Sequence, residues 1–369
     1  MRERRAAGGD VLDLTESNPT AARIPYPEGG ILSALQDHRI PKYDPHPAGL
    51  WEARAAVAAY YQQRGIHIEP GQVFLTASTS EAYSYLFKLL ANPGNQILVP
   101  RPSYPLFEFL ALLESLRLAR YPLVYHRGWG IDFGVLSGSI HEGTRAVILV
   151  NPNNPTGNFI KPDQLAALIP LCTAHRVPII CDEVFASYRI RSDAAQVTSL
   201  AEVSAVLTFC LGGLSKEAGL PQMKLAWIVV AGPPQERARA VARLELIADT
   251  YLSVSAPVQY ALPRLLEVGS QVQARILERI RGNLEFLRTA IKERPACELL
   301  ETEGGWYAVL RIPQTHGEEE WCLRLLEAGV LVQPGYFYDF DSGAHFVLSL
   351  LPVPETFREG LRRMLIVID

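Results

Sequence analysis

Residues 211–227 read LGGLSKEAGLPQMKLAW, with the apolar run AVLTFCL (205–211) leading in and LAWIVVAG (225–232) leading out. Two β-branched apolar runs joined by a short glycine-bearing loop predict strand, loop and strand. Lys216 sits in that loop beside Ser215. It is either an ordinary solvated charge or an amine held half-dry in a fixed place. The rest of the chain has to decide which.

The run at 205–211 is one of six. QVFLTA (72–77), QILVP (96–100), RAVILVN (145–151), VPIICDEV (177–184) and LAWIVVA (225–231) share its composition. Strands so uniformly apolar are covered on both faces, which predicts a largely parallel sheet between layers of helix. Amphipathic segments lie between the runs, such as SEAYSYLFKLLAN (80–92), stopped by Pro93-Gly94, and PDQLAALIPLCTAH (162–175). Residues 256–290 read as a long helix of mixed charge. Beyond it, CELLETEGGWYAVLRIP (297–313), GVLVQPGYFYDF (329–340) and HFVLSLL (345–351) read as short strands around another helix. The expected fold class is therefore α/β. A large domain over 31–264 has a mostly parallel sheet between helices, and a smaller α+β domain is formed by 1–30 and 265–369.

The bulk numbers suit an ordinary globular protein. The chain has 369 residues, of which 48% are hydrophobic and 20% charged, with a net charge of −4. No basic block invites nucleic acid or an anionic membrane. No apolar stretch is long enough to span a bilayer, and no signal peptide is read in the basic start MRERRAAGG. The five cysteines are scattered without a C-x-x-C pair, so reduced thiols and no metal site are expected, in a cytoplasmic protein.

In an open α/β sheet, ligands bind beyond the carboxyl ends of the strands, so the polar residues at those ends matter most. After the first run, Ser78, Thr79 and Ser80 precede a helix, and Ser78 with Glu81 fits a capping box. The same residues suit a phosphate, since free amides and hydroxyls meet at a helix start. Tyr104, between two prolines in RPSYP, offers a flat aromatic face or fills a core. The loop VNPNNPTG (150–157) carries more Asn and Pro than a turn requires, and Asn154 offers an amide to a ligand. Asp182 and Glu183 end a fully apolar strand, where a carboxylate is costly without a partner. One acid, one anion site, one aromatic face, one amide and an isolated lysine together describe a ligand. It is flat, phosphorylated, basic at a ring nitrogen and reactive toward an amine, as pyridoxal 5′-phosphate is.

The chain resembles the class I/II aminotransferases of the fold-type I pyridoxal-phosphate enzymes. The motifs YDPHPAGL (43–50), TASTSEA (76–82), PSYP (102–105), NNPTG (153–157) with DEVF (182–185), and LSK (214–216) occur in family order. The resemblance implies that Thr79 and Ser80 bind the phosphate, that Tyr104 stacks on the ring, and that Asn154 meets its phenolic oxygen. It also implies that Asp182 pairs with the ring nitrogen and that Lys216 forms the Schiff base and shuttles the proton. Tyr43 would reach the phosphate of a neighbouring subunit, which implies a homodimer with shared sites.

The cofactor-binding set also includes Ser215 and two departures from the family pattern. Phe185 stands where a tyrosine is usual, and Lys224 stands in the place of a phosphate-binding arginine, keeping the charge but not the fork. Gly213 replaces a serine. Val347 replaces the arginine that clamps the substrate carboxylate in relatives. Arg23 and Arg311 are candidate substitutes, and Asn18 and Gly305 fall in segments that line the substrate side in relatives. His345 reads as a surface residue at a strand end. The expected activity is transfer of an amino group between an amino acid and a 2-oxo acid. A carbon–sulfur β-lyase on the same scaffold, or a non-catalytic cofactor-binding regulator, are the alternatives.

Overall fold

The computed structural model describes residues 10–191 and 196–369. The basic start MRERRAAGG therefore lies outside the described residues, as do the first nine positions of the 1–30 segment.

The described elements relevant to the site run in chain order. They begin with β1 (Leu12–Asp13), α1 (Trp51–Gln62), β2 (Val73–Thr76), α2 (Thr79–Leu90), β3 (Gln96–Arg101), β4 (Arg117–Tyr125) and β5 (Trp129–Ile131). Next come β6 (Thr144–Val150), α3 (Pro162–His175), β7 (Ile179–Asp182), β8 (Thr208–Gly213), α4 (Leu214–Glu217), β9 (Ala226–Ala231), α5 (Pro234–Tyr251) and α6 (Ala256–Ile291). The chain closes with β10 (Glu298–Leu299), β11 (Tyr307–Ile312), α7 (Glu318–Glu327), β12 (Val330–Leu331), β13 (Gln333–Pro334), β14 (Ala344–Ser349) and α8 (Pro354–Ile368).

Eight strands form the main sheet in the order β2-β9-β8-β7-β6-β3-β4-β5. The pairs β3–β4, β3–β6, β6–β7 and β7–β8 are parallel, and β8–β9, β2–β9 and β4–β5 are antiparallel. All six apolar runs are strands. Their side chains alternate between two separate cores. Leu98, Val147, Leu149, Ile179, Cys181 and Cys210 face one, and Ile97, Val99, Ile148, Ile180, Phe209 and Leu211 face the other. That is why each run is apolar throughout: neither face of the sheet meets water. The first core is covered by α1, α3 and α6, the second by α2 and α5.

Strands β1, β4 and β5 escape the reading by composition. β4 is RLARYPLVY, with Arg117 and Arg120 interrupting its apolar pattern, and it lies next to the edge strand β5. A four-stranded antiparallel sheet, β10-β11-β14-β13, forms the C-terminal layer. The tail of GVLVQPGYFYDF is a short 3-10 helix (Gly335–Tyr338) and not a strand. Near the N-terminus, β1 pairs in parallel with β12, Leu12 opposite Val330. The 264/265 boundary falls inside α6, a single unbroken helix of 36 residues.

Helix α6 also presses on the loop that carries Lys216. A Cβ built at Gly269 would collide with the Cβ of Ala218, two residues beyond Lys216. A glycine in a helix interior normally costs about 0.5–1 kcal/mol relative to alanine, but here the missing side chain is what lets the helix approach. Gly269→Ala is therefore expected to destabilise the protein by about 1–3 kcal/mol through overpacking, seen as a lower thermal midpoint, whereas Gly282→Ala, with open space around it, leaves the midpoint unchanged or raises it.

Candidate active site

Strand direction gathers the candidate residues. β2, β3, β6, β7 and β8 all run the same way, so Thr76, Arg101, Val150, Asp182 and Gly213 end on one edge of the sheet. The next residues of the chain at these five ends include Thr79 and Ser80, Tyr104, Asn154, Phe185, and Ser215 with Lys216. β9 begins at the same edge, just after Lys224.

Lys216 lies in the short turn α4, which leaves β8 directly. Gly213 makes the close pairing possible: a Cβ there would sit 2.8 Å from the Cβ of Ala226 on β9. The half-buried Lys216 amine rests 4.5 Å from the centre of the Trp306 ring and 5.7 Å from that of Phe185. Burial pulls its pKa from 10.5 down to about 8, and the carboxylate of Asp182 opposes that fall. The amine is thus no solvated surface charge.

Asp182 is buried and receives the Tyr83 hydroxyl at 3.1 Å and the Val184 amide at 3.2 Å. Burial raises its pKa to about 6 against these bonds and against the pull of Lys216. Tyr104 is 37% exposed, and its ring packs edge-on to Phe107 at 6.0 Å. Its hydroxyl is pushed up to about 12 by burial and by Asp182. Phe185 is buried edge-on against Trp306 at 5.3 Å.

Thr79 and Ser80 are the first two residues of α2. Ser78 caps the helix by accepting the Glu81 amide at 3.1 Å. The capping box is shifted, however: the Glu81 carboxylate returns to Ala77, at 2.7 Å, and not to Ser78. Capping therefore uses Ser78 and takes neither the Thr79 nor the Ser80 hydroxyl, both of which lie in the first turn, where the helix's partial positive charge lies. Lys224 is exposed on a left-handed turn, φ 50°, ahead of β9.

The NNPTG loop is locked from below. Asn153 donates to the Pro102 carbonyl at 2.9 Å and to Thr156 at 2.7 Å. Gly157, at φ +72°, lies against the backbone of Gly304 with no room for a side chain. Asn154 has none of these ties, and its side-chain oxygen is buried without a hydrogen-bond partner. An orphaned buried amide costs stability unless a ligand or water meets it. A phosphorylated pyridine aldehyde fits this set: an amine, a carboxylate, an unpaired amide, an aromatic face and a helix start converge on one edge.

Five other residues are placed elsewhere. Tyr43 is 81% exposed and lines a separate cleft with Ser253, Ser255 and Gln259. Arg23 is exposed, and Arg311 is paired with Glu298 on the C-terminal sheet. His345 is not a surface residue: it is buried, stacked on Phe340 at 4.5 Å, with its pKa lowered to about 4 by burial and by Arg311. Val347 is fully buried between Val309 and Gln333 on the neighbouring strands, so no cation stands there. Sequence reasoning missed Trp306 and Tyr83. Trp306 follows a Gly-Gly pair, of which the Gly304 carbonyl packs against Gly157 of the NNPTG loop. Tyr83 lies one helical turn after Thr79, a spacing that puts both on one side of α2.

The family model for aminotransferase class I and II matches residues 10–350. The glutamate-pyruvate aminotransferase AlaA of Haemophilus influenzae is 24% identical, covering 97% of this chain and 90% of its own. The alanine aminotransferase of Mycobacterium tuberculosis is 25% identical over 97% of this chain and 86% of its own. Among solved structures, the alanine aminotransferase from Pyrococcus furiosus superposes with a TM-score of 0.90 at 23% identity, covering 99% of this chain and 94% of its own.

The Lys216 environment predicts a direct readout. In the cofactor-free protein, reductive methylation of Lys216, followed by peptide mass spectrometry across pH, should show a midpoint near 8. A midpoint in the ordinary lysine range would contradict the buried placement.

Proposed function

The chain belongs to the class I and II aminotransferase family and is a transaminase, and we propose that it works with pyridoxal 5′-phosphate at the carboxyl edge of its main sheet, moving an amino group between an amino acid and a 2-oxo acid. The observation that carries this reading is the Lys216 amine, held in a half-dry place with its pKa near 8 and the Asp182 carboxylate acting on it. Bound pyridoxal phosphate would supply an aldehyde that condenses with amines and a ring that accepts electron density from the carbon it activates.

The chain's own residues then have distinct tasks. Thr79 and Ser80 would hold the phosphate with their hydroxyls and amides at the start of α2, with Lys224 as a nearby positive charge. Asn154 would donate its side-chain Nδ2 to the ring's phenolic oxygen, its buried Oδ1 having no partner within the chain, and Ser215 would belong to the cofactor-binding set next to Lys216. Tyr104 and Phe185 would frame the ring with aromatic faces. Asp182 would face the ring nitrogen and hold a proton there, since a buried carboxylate is stabilised by a cationic partner. Lys216, titrating near 8, can take a proton from the substrate Cα–H and return one at neutral pH. Trp306 limits water around that amine. Tyr43, exposed on its own subunit, would serve a second copy of the chain, making a homodimer with shared sites. No helix among the described residues is long and apolar enough to cross a membrane.

The substrate carboxylate needs a partner other than residue 347, because Val347 is buried and apolar. The named activities of the relatives make alanine, glutamate and their 2-oxo acids the first donors and acceptors to test. With cofactor added, a productive donor should abolish the cofactor's visible absorption band and form the aminated cofactor. Release of ammonia and a 2-oxo acid without an acceptor would instead support the lyase alternative. Lys216→Ala should abolish turnover. Asp182→Asn should lower it by about 10²–10³-fold, the scale of removing one fixed electrostatic contact. Because the carboxylate form of Asp182 is the one that would pair with the ring nitrogen, the affinity of the cofactor-free protein for pyridoxal phosphate should fall as pH drops through about 6. An Asp182→Asn protein with full activity would exclude this assignment.

A further inference from the structure

Helix α4 has four residues, too few to hold its own shape. The anchoring of Lys216 must therefore come from outside the turn. Its carbonyl accepts the Tyr188 hydroxyl at 2.6 Å and the Gly219 amide at 3.0 Å. The next residue, Glu217, turns the other way. Its side chain is 3% exposed, and its carboxylate accepts hydrogen bonds from the hydroxyls of Tyr60 and Ser187. Arg64, one turn after Tyr60 on the same side of the chain, approaches that carboxylate at 3.6 Å and donates to the Tyr60 hydroxyl at 2.9 Å. Gln273 of α6 donates to the Glu217 carbonyl at 2.9 Å, and the Tyr26 hydroxyl reaches the Gly219 carbonyl at 2.5 Å.

A buried carboxylate is expensive, and removing one partner of a buried pair is more expensive still. A turn that only filled space would be cheaper with an apolar residue at 217. Here four polar side chains from three parts of the chain converge on that one carboxylate and its backbone. We propose that Glu217, gripped by Tyr60, Arg64 and Ser187, is a positioning residue that fixes the α4 turn so that the Lys216 amine stays against the Trp306 ring. This rests on Lys216 being the reactive amine.

The charged and titratable groups facing Glu217 are Tyr60, Tyr61 and Arg64 from the α1 region and Tyr188 beyond β7. Asp182, at the end of β7, feels the Glu217 charge, which helps to raise its pKa. The Lys216 amine does not share that influence: burial and Asp182 alone set its shift. A nearby negative charge favours the protonated amine, so losing the Glu217 charge would by itself lower the midpoint or leave it in place, and a rise requires that the turn moves and the amine gains water.

That separation makes a test. Reductive methylation of Lys216 is followed across pH in the cofactor-free wild type, Glu217→Ala and Glu217→Asp, with circular dichroism as the check on folding. The proposal expects the Glu217→Ala midpoint to rise by about one pH unit or more toward the ordinary lysine range as the amine gains water. Glu217→Asp should recover part of that rise. A folded Glu217→Ala protein with the wild-type midpoint overturns the proposal. If Glu217→Ala does not fold, the double variant Tyr60→Phe/Ser187→Ala removes both hydroxyl donors and leaves the charge pair. A raised midpoint there supports the network, and an unchanged one overturns it. The measurement uses neither cofactor nor turnover, so it decides the network even where the transamination panel fails.

Discussion

The site depends on one electrostatic balance: an amine and a carboxylate drawn out of water at the same edge of a sheet. Lys216 loses solvation and becomes easier to deprotonate, and Asp182 loses solvation and becomes easier to protonate. Each partly compensates the other, and neither is driven all the way to neutrality. A group that titrates near working pH can both accept and release a proton, the condition for acid and base work by one residue. The aromatic neighbours matter because they keep this balance dry. Trp306 and Phe185 add no charge of their own and leave Asp182 as the group that acts on the amine.

The fold provides the edge. Strands β8, β7, β6 and β3 end side by side in one direction, and β2 ends at the same edge beyond the antiparallel β9, so residues far apart in sequence meet there. Tight glycines keep the meeting close. Gly213 allows β8 and β9 to pack behind Lys216, Gly157 lets the NNPTG loop touch the backbone near Trp306, and Gly269 lets α6 bear on the turn beyond Lys216. Buried polar ties, above all around Glu217 and Asn153, then fix the loops that the strands present.

Much of this was legible in the sequence because the main sheet is buried on both faces. Its six runs are apolar without alternation, and the five that share one direction lead into short motifs bearing polar residues. Thr79, Ser80, Tyr104, Asn154, Asp182 and Lys216 could be singled out for that reason. What stayed hidden depends on contacts between distant segments. The arginines of β4 mask a strand that lies beside an edge. Trp306 comes from the C-terminal unit, and no local spacing ties it to Lys216. Glu217 looks like an ordinary charge in a loop until Tyr60, Arg64 and Ser187 are seen around it. His345 likewise reads as a strand-end surface group, whereas the loop around Phe340 buries it.

The central claim is that Lys216 is the amine that engages the cofactor. It is tested most directly by mixing the purified protein with pyridoxal phosphate, reducing with borohydride, and locating the added mass by peptide mass spectrometry. The account predicts one stoichiometric label, on the peptide carrying Lys216 and on that residue. A label confined to Lys224 or spread over surface lysines, or no label at all, would contradict it.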